Sequence, residues 1–337
     1  MQNRLSSGFC CEDTEMKTTV VIPNYNGKAY LEDCLNFLKR SEGTRFAVIV
    51  VDNGSTDGSC RMVKEKFPWA ELVELGENTG FSHAVNVGIK AAKTPYVLLL
   101  NNDTVAERDF VAKLEQAMDT KPGYFSLSSK MLSMKQTEII DDAGDYYCAL
   151  GWAYARGKGA SAQRYTAPKD IFAACGGAAI YRREVFREIG YFDDLHFAYL
   201  EDIDIGYRAR IRGYKNGYCP DAVVYHAGSG SSGSRYNEFK VNLSSQNSIY
   251  IIAKNMPFLQ VLLNLPLLLI GFAVKFLFFA KKGFGRIYLG GLWRGLCLSV
   301  SPKGRRNHVP FRWKYLPHYV KVQIELWYNI IRRVTEG

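Results

Sequence analysis

The chain has 337 residues, of which 47% are hydrophobic, 23% charged and 13% aromatic. This composition excludes a disordered chain, a collagen-like repeat and a small disulfide scaffold, and leaves room for a sizeable core. The net charge of +10 is unevenly placed: residues 271–337 carry 13 Lys/Arg against 2 Asp/Glu, so the first 270 residues sum to −1. A near-neutral body with a basic C-terminal fifth suits an anionic surface as partner, or simply a solvated basic tail.

Residues 1–16 read as a disordered leader without the apolar stretch of a signal peptide. Thr18–Ile22 and Phe46–Val51 are short β-branched runs, and Glu71–Leu75 and Tyr96–Leu100 complete four strands. Helical patterns fall between them, around Tyr30–Leu38, around Met62, Val63 and Phe67, and over Phe81–Lys93. Unbroken apolar strands alternating with helices predict an α/β fold, its mostly parallel sheet covered on both faces. Ligands bind such sheets beyond the carboxyl ends of the strands. Those ends carry Asn24 and Asn26, Asp52 and Asn53, Glu77 and Asn78, and Asn101, Asn102 and Asp103.

Further along, Glu107–Met118 reads as a helix, Tyr124–Met131 as a strand and 132–170 as loop. Phe172–Tyr181 reads as a strand, Arg182–Ile189 as a helix, 201–212 as a helix and Ala222–Tyr225 as a last short strand. Eight cysteines without a CxxC pair suggest reduced thiols and a cytosolic body.

Three groups carry chemistry. Asp103, delivered by an apolar strand, is either a hard oxygen ligand for a divalent cation with a diphosphate or a turn former before the next helix. Glu201-Asp202-x-Asp204 opens a helix, where one carboxylate would suffice for the dipole; Asp202 is the candidate general base and Asp204 a structural partner for Arg208. His226 ends a strand and is either structural or a second metal ligand. Residues 228–233 (GSGSSG) match a dinucleotide pattern but lack its acidic residue about 20 positions on. They read better as a loop over phosphates, with Ser229, Ser231, Ser232 and Arg235 as contacts.

The ordered blocks VVIPNYN, VVDNGSTDGS, ENTGFSHAVNVGI, LLLNNDT, CGGAAIYRREVFREIGYFDD, YLEDIDIGYRARIRG and VVYHAGS resemble glycosyltransferase family 2 over residues 17–255, closest to its bacterial rhamnosyltransferase-like branch. The resemblance implies a GT-A fold and inverting transfer from a nucleotide-diphosphate sugar. It implies nucleotide contacts from Pro23, Asn24, Asn26, Asp52, Asn53, Asn78, Gly80, Phe81, Asn86, Asn101 and Asn102. Cys175, Gly176, Gly177 and Glu201 would sit by the sugar or acceptor, with Asp202 as base. Asn101-Asn102-Asp103 stands where the family has DxD, so Mg²⁺ or Mn²⁺ binding falls on Asp103 and His226.

Phe258–Ala280 contains 18 Ala, Val, Ile, Leu or Phe in 23 residues, enough to span a bilayer of about 30 Å. It also holds Gln260, Asn264, Pro266 and Lys275 and is followed by a basic segment, so residues 256–337 are expected to attach to the membrane as a re-entrant or surface-lying hairpin, Lys275 snorkelling to the interface. Leu316–Val334 continues as a basic amphipathic helix with Trp327 and Tyr328. The sequence-level expectation is a monotopic or peripheral enzyme on the cytoplasmic face, moving L-rhamnose from dTDP, or a hexose or galactofuranose from UDP, to a lipid-linked or polysaccharide glycan. No nucleic-acid partner is expected.

Overall fold

The computed structural model describes residues 15–228 and 236–336. Most of the leader and the loop contacts Ser229, Ser231, Ser232 and Arg235 lie outside the described residues. The chain begins with β1 (Thr18–Asn24), α1 (Lys28–Leu38), β2 (Phe46–Asp52), α2 (Ser59–Lys66), β3 (Glu71–Glu74), α3 (Phe81–Ala91) and β4 (Tyr96–Leu100). Next come β5 (Thr104–Ala106), α4 (Phe110–Asp119), β6 (Tyr124–Ser133) and four short strands, β7 (Ile140–Asp142), β8 (Asp145–Cys148), β9 (Trp152–Ala155) and β10 (Lys169–Ile171). The body closes with β11 (Ala178–Arg182), α5 (Phe186–Ile189), α6 (Glu201–Ile211) and β12 (Lys215–His226). Helices α7 (Glu238–Asn255), α8 (Phe258–Lys281), α9 (Gly285–Val300), α10 (Pro302–Arg306) and α11 (Leu316–Thr335) follow.

The main sheet runs β10-β12-β6-β11-β4-β1-β2-β3. Strands β3, β2, β1 and β4 are mutually parallel, and β11 lies antiparallel between β4 and β6. Alternate strand residues feed two cores. Val21, Ile49, Val51, Val97 and Leu99 pack with Ala84, Val85 and Ile89 of α3, while Val20, Ile22, Val48, Val50, Leu98 and Leu100 pack with α1, α2 and α4. Both faces are therefore covered, which is why these strands read as continuous apolar runs.

Several strands differ from expectation: β5 is not anticipated in the sequence, and β7, β8, β9 and most of β10 fall within 132–170, which reads as loop. The run 172–177 is not a strand: Ala173 forms an isolated bridge to Asp145, Gly176-Gly177 make a turn, and β11 starts only at Ala178. Strand β12 is 12 residues long; Pro220 lies where its pairing with β6 slips between Cys219 and Val223, and that interruption hid its first half.

The C-terminal helices pack onto the body through polar and small residues. Gly291 and Gly295 of α9 sit so close to α7 that an added Cβ would lie 1.8 Å from the Ser245 hydroxyl and 2.5 Å from the Gln246 carbonyl. Asn264 and Gln323 exchange side-chain hydrogen bonds at 2.8 Å in both directions, tying α8 to α11, and Tyr207 of α6 donates to Gln260 at 3.0 Å. Helix α8 thus buries its amides against protein. Its outward face exposes Phe258, Leu259, Leu262, Leu263, Leu269, Ile270 and Leu277, and α9 and α11 add Trp293, Val300, Ile324, Ile331 and Val334. Helix α8 is long and apolar enough to cross a membrane. Lys275 does not point outward as expected: its ammonium lies 5.9 Å from the Trp152 ring centroid.

Candidate active site

A cleft of about 680 Å³ opens at the carboxyl ends of the parallel strands. Its walls include Pro23, Asn24, Asn53, Asn78, Gly80, Phe81, Asn101, Asn102, Asp103, Cys175, Gly176, Gly177, Glu201, Asp202 and His226. Fifteen of the eighteen residues picked out from sequence therefore meet in one place. Asn26, Asp52 and Asn86 do not line it. Asn26 accepts from the Thr56 N–H at 2.8 Å. Asp52, 2% exposed, accepts from the Asn24 amide at 2.8 Å and the Ser55 N–H at 2.8 Å. Asn86 donates to the Phe192 carbonyl at 2.7 Å and to Asp194 at 2.8 Å, joining α3 to the 192–194 loop.

The sheet edge is held by a chain of amides. Asn102 donates to Asn24 at 2.7 Å, and Asn24 in turn donates to Asp52. Asn53 donates to Asn78 at 3.0 Å and to the Gly80 carbonyl at 3.2 Å, fixing the 78–80 turn. Gly80 has φ +89°, and a side chain there would strike Phe197 at 2.7 Å. The Asn101 N–H donates to the Gly177 carbonyl at 2.8 Å, bringing the two-glycine turn against the strand end.

Strand register joins Asp103 to His226. His226 pairs with Thr104 across β5 and β12, and the Ala227 N–H donates to the Asp103 carbonyl at 3.0 Å. As a result His226 Nε2 stands 3.3 Å from Asp103 Oδ1, while its Nδ1 stands 2.6 Å from Asp141. Burial alone would lower the imidazole, but the Asp103 and Asp141 carboxylates outweigh it and hold it at about 9. Lys158 reaches Asp141 at 2.7 Å.

The cleft also carries a cluster of buried carboxylates. Burial and mutual repulsion push Asp142 up to about 7 and Glu201 up to about 8, and raise Asp145 well above the usual carboxylate range. Asp202 is raised by burial too, against N–H donation from Ile203 at 2.7 Å and from Gly176. One ligand atom each from Asp142, Asp145 and Cys175 lie within 4.8 Å of one another, so by spacing this trio could also hold a cation. Asp204 is buried away from the cleft, bound by Arg208 at 2.8 Å, Lys254 at 2.8 Å and Asn255 at 2.8 Å.

Sequence reasoning missed Asp141, Asp142, Asp145, Tyr154, Lys158, Phe239 and Lys240, all cleft residues. Three aspartates within 141–145, just after an apolar pair, were the available signal. It also missed the segment before Asp202: Phe197, Tyr199 and Leu200 have φ of 58°, 69° and 68°. This left-handed backbone is pinned by the buried Asn247 amide, which donates to the carbonyls of His196, Ala198 and Tyr199 at 2.8–3.0 Å.

A mixed, mostly parallel sheet with an amide-rich edge, a carboxylate–histidine pair and buried acidic groups is an α/β architecture with a ligand cleft at its strand ends. The model of glycosyl transferase family 2 matches residues 19–190, about half the chain, and the protein belongs to that family. It is a glycosyltransferase with a nucleotide-sugar donor. Among its relatives is the N-acetylglucosaminyl-diphospho-decaprenol L-rhamnosyltransferase of Mycobacterium tuberculosis, 27% identical over 64% of this chain and 77% of the relative. Similar solved structures include S. aureus TarS 1–349 in complex with UDP-GlcNAc, with a TM-score of 0.57 and 19% identity over 87% of this chain and 84% of that one. The mannosyltransferase PcManGT from Pyrobaculum calidifontis, in complex with GDP-Man and Mn²⁺, gives a TM-score of 0.51 and 20% identity over 92% of this chain and 88% of that one.

Proposed function

We propose that the protein transfers L-rhamnose, with inversion, from a nucleotide diphosphate to a hydroxyl of a lipid-linked or polysaccharide glycan at the cytoplasmic membrane face. The observation that carries this reading is the convergence of Asp202 and the Asp103–His226 pair in one cleft. Asp202 takes the acceptor hydroxyl proton as that oxygen bonds to the anomeric carbon. The bond from that carbon to the diphosphate breaks, and the nucleoside diphosphate leaves with the electron pair. Burial, by raising Asp202, makes it a stronger base than a solvated aspartate. The transition state has oxocarbenium character by analogy with glycoside hydrolysis.

The residues fit a divalent cation. Asp103 Oδ1 and His226 Nε2, 3.3 Å apart, are spaced as neighbouring ligands of an ion with bonds of about 2.1 Å, and Asp141 stands behind the imidazole as an orienting carboxylate. The same carboxylates that hold a proton on His226 would favour a cation in its place. Asp103 and His226 would hold Mg²⁺ or Mn²⁺, which would supply Lewis-acid stabilisation of the charge on the leaving diphosphate. Asn24, Asn53, Asn78, Gly80, Phe81, Asn101 and Asn102 line the nucleotide side; Cys175, Gly176, Gly177 and Glu201 line the sugar side.

The exposed apolar face of α8, α9 and α11 supports membrane attachment, with the buried Gln260, Asn264 and Gln323 amides arguing for a monotopic arrangement rather than a lone span. The decaprenol-linked substrate named for the mycobacterial relative supports a lipid-linked acceptor.

The test is transfer from dTDP-L-rhamnose, UDP-galactofuranose and UDP-hexoses to a short-chain N-acetylglucosaminyl-diphosphoprenol, read by mass spectrometry. A rhamnosyl product that needs Mn²⁺ or Mg²⁺ and disappears in Asp202→Asn is expected. Transfer from a UDP-sugar alone would overturn the rhamnose assignment.

A further inference from the structure

A second cavity, of about 630 Å³, shares no lining residue with the cleft. The 189–195 loop forms part of its wall. Helix α3 contributes Lys90, α6 contributes Arg208 with Arg212 just past its end, and the 303–310 stretch contributes Lys303 and Arg306. Two carboxylates and Lys254 also reach it: Lys254 matches Asp193, while Asp194, hydrogen-bonded by Asn86, remains as one negative charge in the wall. Asp193 binds Lys254 at 2.7 Å, Asp194 faces His83 at 2.9 Å, and Arg208 binds Asp204.

Lys90, Arg212, Lys303 and Arg306 have no carboxylate partner among the described residues. Arg212 stacks 4.4 Å from the Tyr315 ring and Lys90 5.1 Å from that of Tyr191, contacts that aim the two cations without neutralising them. Four cations without a carboxylate partner, against the single carboxylate of Asp194, leave the concave site net positive and attractive to an anion, and guanidinium and ammonium donors suit phosphate oxygens.

The position of the cavity selects the source of that phosphate. The 303–310 wall is flanked in sequence by two exposed apolar residues, Val300 at the end of α9 (62% exposed) and Trp313 just before α11 (78% exposed), the two helices that with α8 carry the exposed apolar residues. We propose that this cavity holds the headgroup phosphate of an anionic membrane lipid and so sets how the body sits on the bilayer. The inference rests on the membrane reading above; it adds a defined lipid site to a diffuse basic surface.

The experiment compares the full-length protein with two double variants of equal charge change, Lys303→Glu/Arg306→Glu in the cavity and Lys281→Glu/Lys282→Glu outside it. Binding is measured to vesicles of phosphatidylcholine with and without 30 mol% phosphatidylglycerol (roughly, to match an anionic leaflet). The wild type is expected to prefer the anionic vesicles at least about tenfold. Lys303→Glu/Arg306→Glu loses most of that preference while keeping its neutral-vesicle binding, and Lys281→Glu/Lys282→Glu retains it. Equal losses in the two variants would overturn the site in favour of diffuse charge. A protein that ignores both vesicles would overturn the membrane reading. Calorimetric titration of water-soluble dihexanoyl phosphatidylglycerol then judges the cavity separately: saturable binding lost in Lys303→Glu/Arg306→Glu supports it, and no binding overturns it. Inorganic phosphate binding as tightly as the short-chain lipid would assign the cavity to free phosphate instead.

Discussion

The two sides of the cleft are supported in different ways. On the side we assign to the nucleotide, the sheet edge holds itself: Asn24 bridges Asp52 and Asn102, and Asn53 fixes the next turn. On the side we assign to the acceptor, support comes from the C-terminal helices. Asn247 of α7 pins the 197–200 backbone, Asn329 of α11 donates to the Tyr147 carbonyl at 2.8 Å, and the Trp152 ring N–H donates to the Gly271 carbonyl at 3.0 Å. Donor binding should therefore survive damage that removes turnover, and the reverse should be harder to obtain.

The sharpest separation should come from Asp202→Asn. Removing a general base costs typically about 10²–10⁴-fold in rate. We expect kcat to fall within that range while nucleoside diphosphate affinity, measured by calorimetry, stays within about twofold. A parallel loss of affinity would merge the two sides.

Acid should attack the acceptor side through the network behind it. Burial holds His196 down at about 4, against the pull of Asp204 and Asp193 and with Lys254 and Arg208 adding to the lowering, while the Tyr250 ring covers it at 5.3 Å. In the unfolded chain His196 takes its proton near 6.5 and in the folded chain only near 4, so stability complete above 6.5 is lost as pH falls toward 4. The loss is about 3 kcal/mol. Asp204 acts in the same direction but below that window: burial would raise it, but Arg208 and Lys254 hold it well below its ordinary 3.8, so its contribution is lost only as pH falls through that value. Melting temperature should drop between pH 6.5 and 4 in the wild type, and His196→Phe should flatten that slope.

The nucleotide side has its own probe in Asp141, the carboxylate behind His226. Loss of such an orienting partner costs typically about 10–100-fold in metal affinity. Asp141→Asn should weaken Mn²⁺ binding, read by electron paramagnetic resonance, by that factor. An unchanged Mn²⁺ affinity would move the cation toward Asp142, Asp145 and Cys175.

The same division governs what the sequence disclosed. Strands β1, β2 and β4 are continuous apolar runs, and a parallel sheet obliges their next residues to share one edge, so Asn24, Asn53 and Asn101–Asp103 were found by rule. Residue type alone did not tell which candidate residues line the cleft; Asn26, Asp52 and Asn86, held by loop hydrogen bonds, lie outside its wall. Asp142 and Asp145 sit on short, irregular strands whose position depends on contacts more than 100 residues away in sequence, such as Trp152 with Gly271. The positive-φ residues Phe197, Tyr199 and Leu200 include no glycine to mark them, and their side-chain tie is to Asn247, about 50 residues on in the sequence.

That tie gives the smallest and most discriminating prediction. Left-handed non-glycine residues cost about 1–3 kcal/mol each and persist only where their surroundings hold them. Asn247 spends its amide on three carbonyls immediately ahead of Asp202, yet it does not line the cleft. In Asn247→Ala those carbonyls lose their buried donor, lowering stability by about 1–3 kcal/mol. Released, the segment lets Asp202 drift, and kcat should fall about tenfold, since misplacement of a reacting group by about 1 Å can cost up to 10²-fold. Nucleotide affinity should hold, because Asn53 and Asn78 fix their own turn. If the variant melts lower but turns over normally, the left-handed run supports the fold only. If kcat falls while nucleotide affinity holds, the run positions the base, and α7 is part of the catalytic side despite standing outside the sheet.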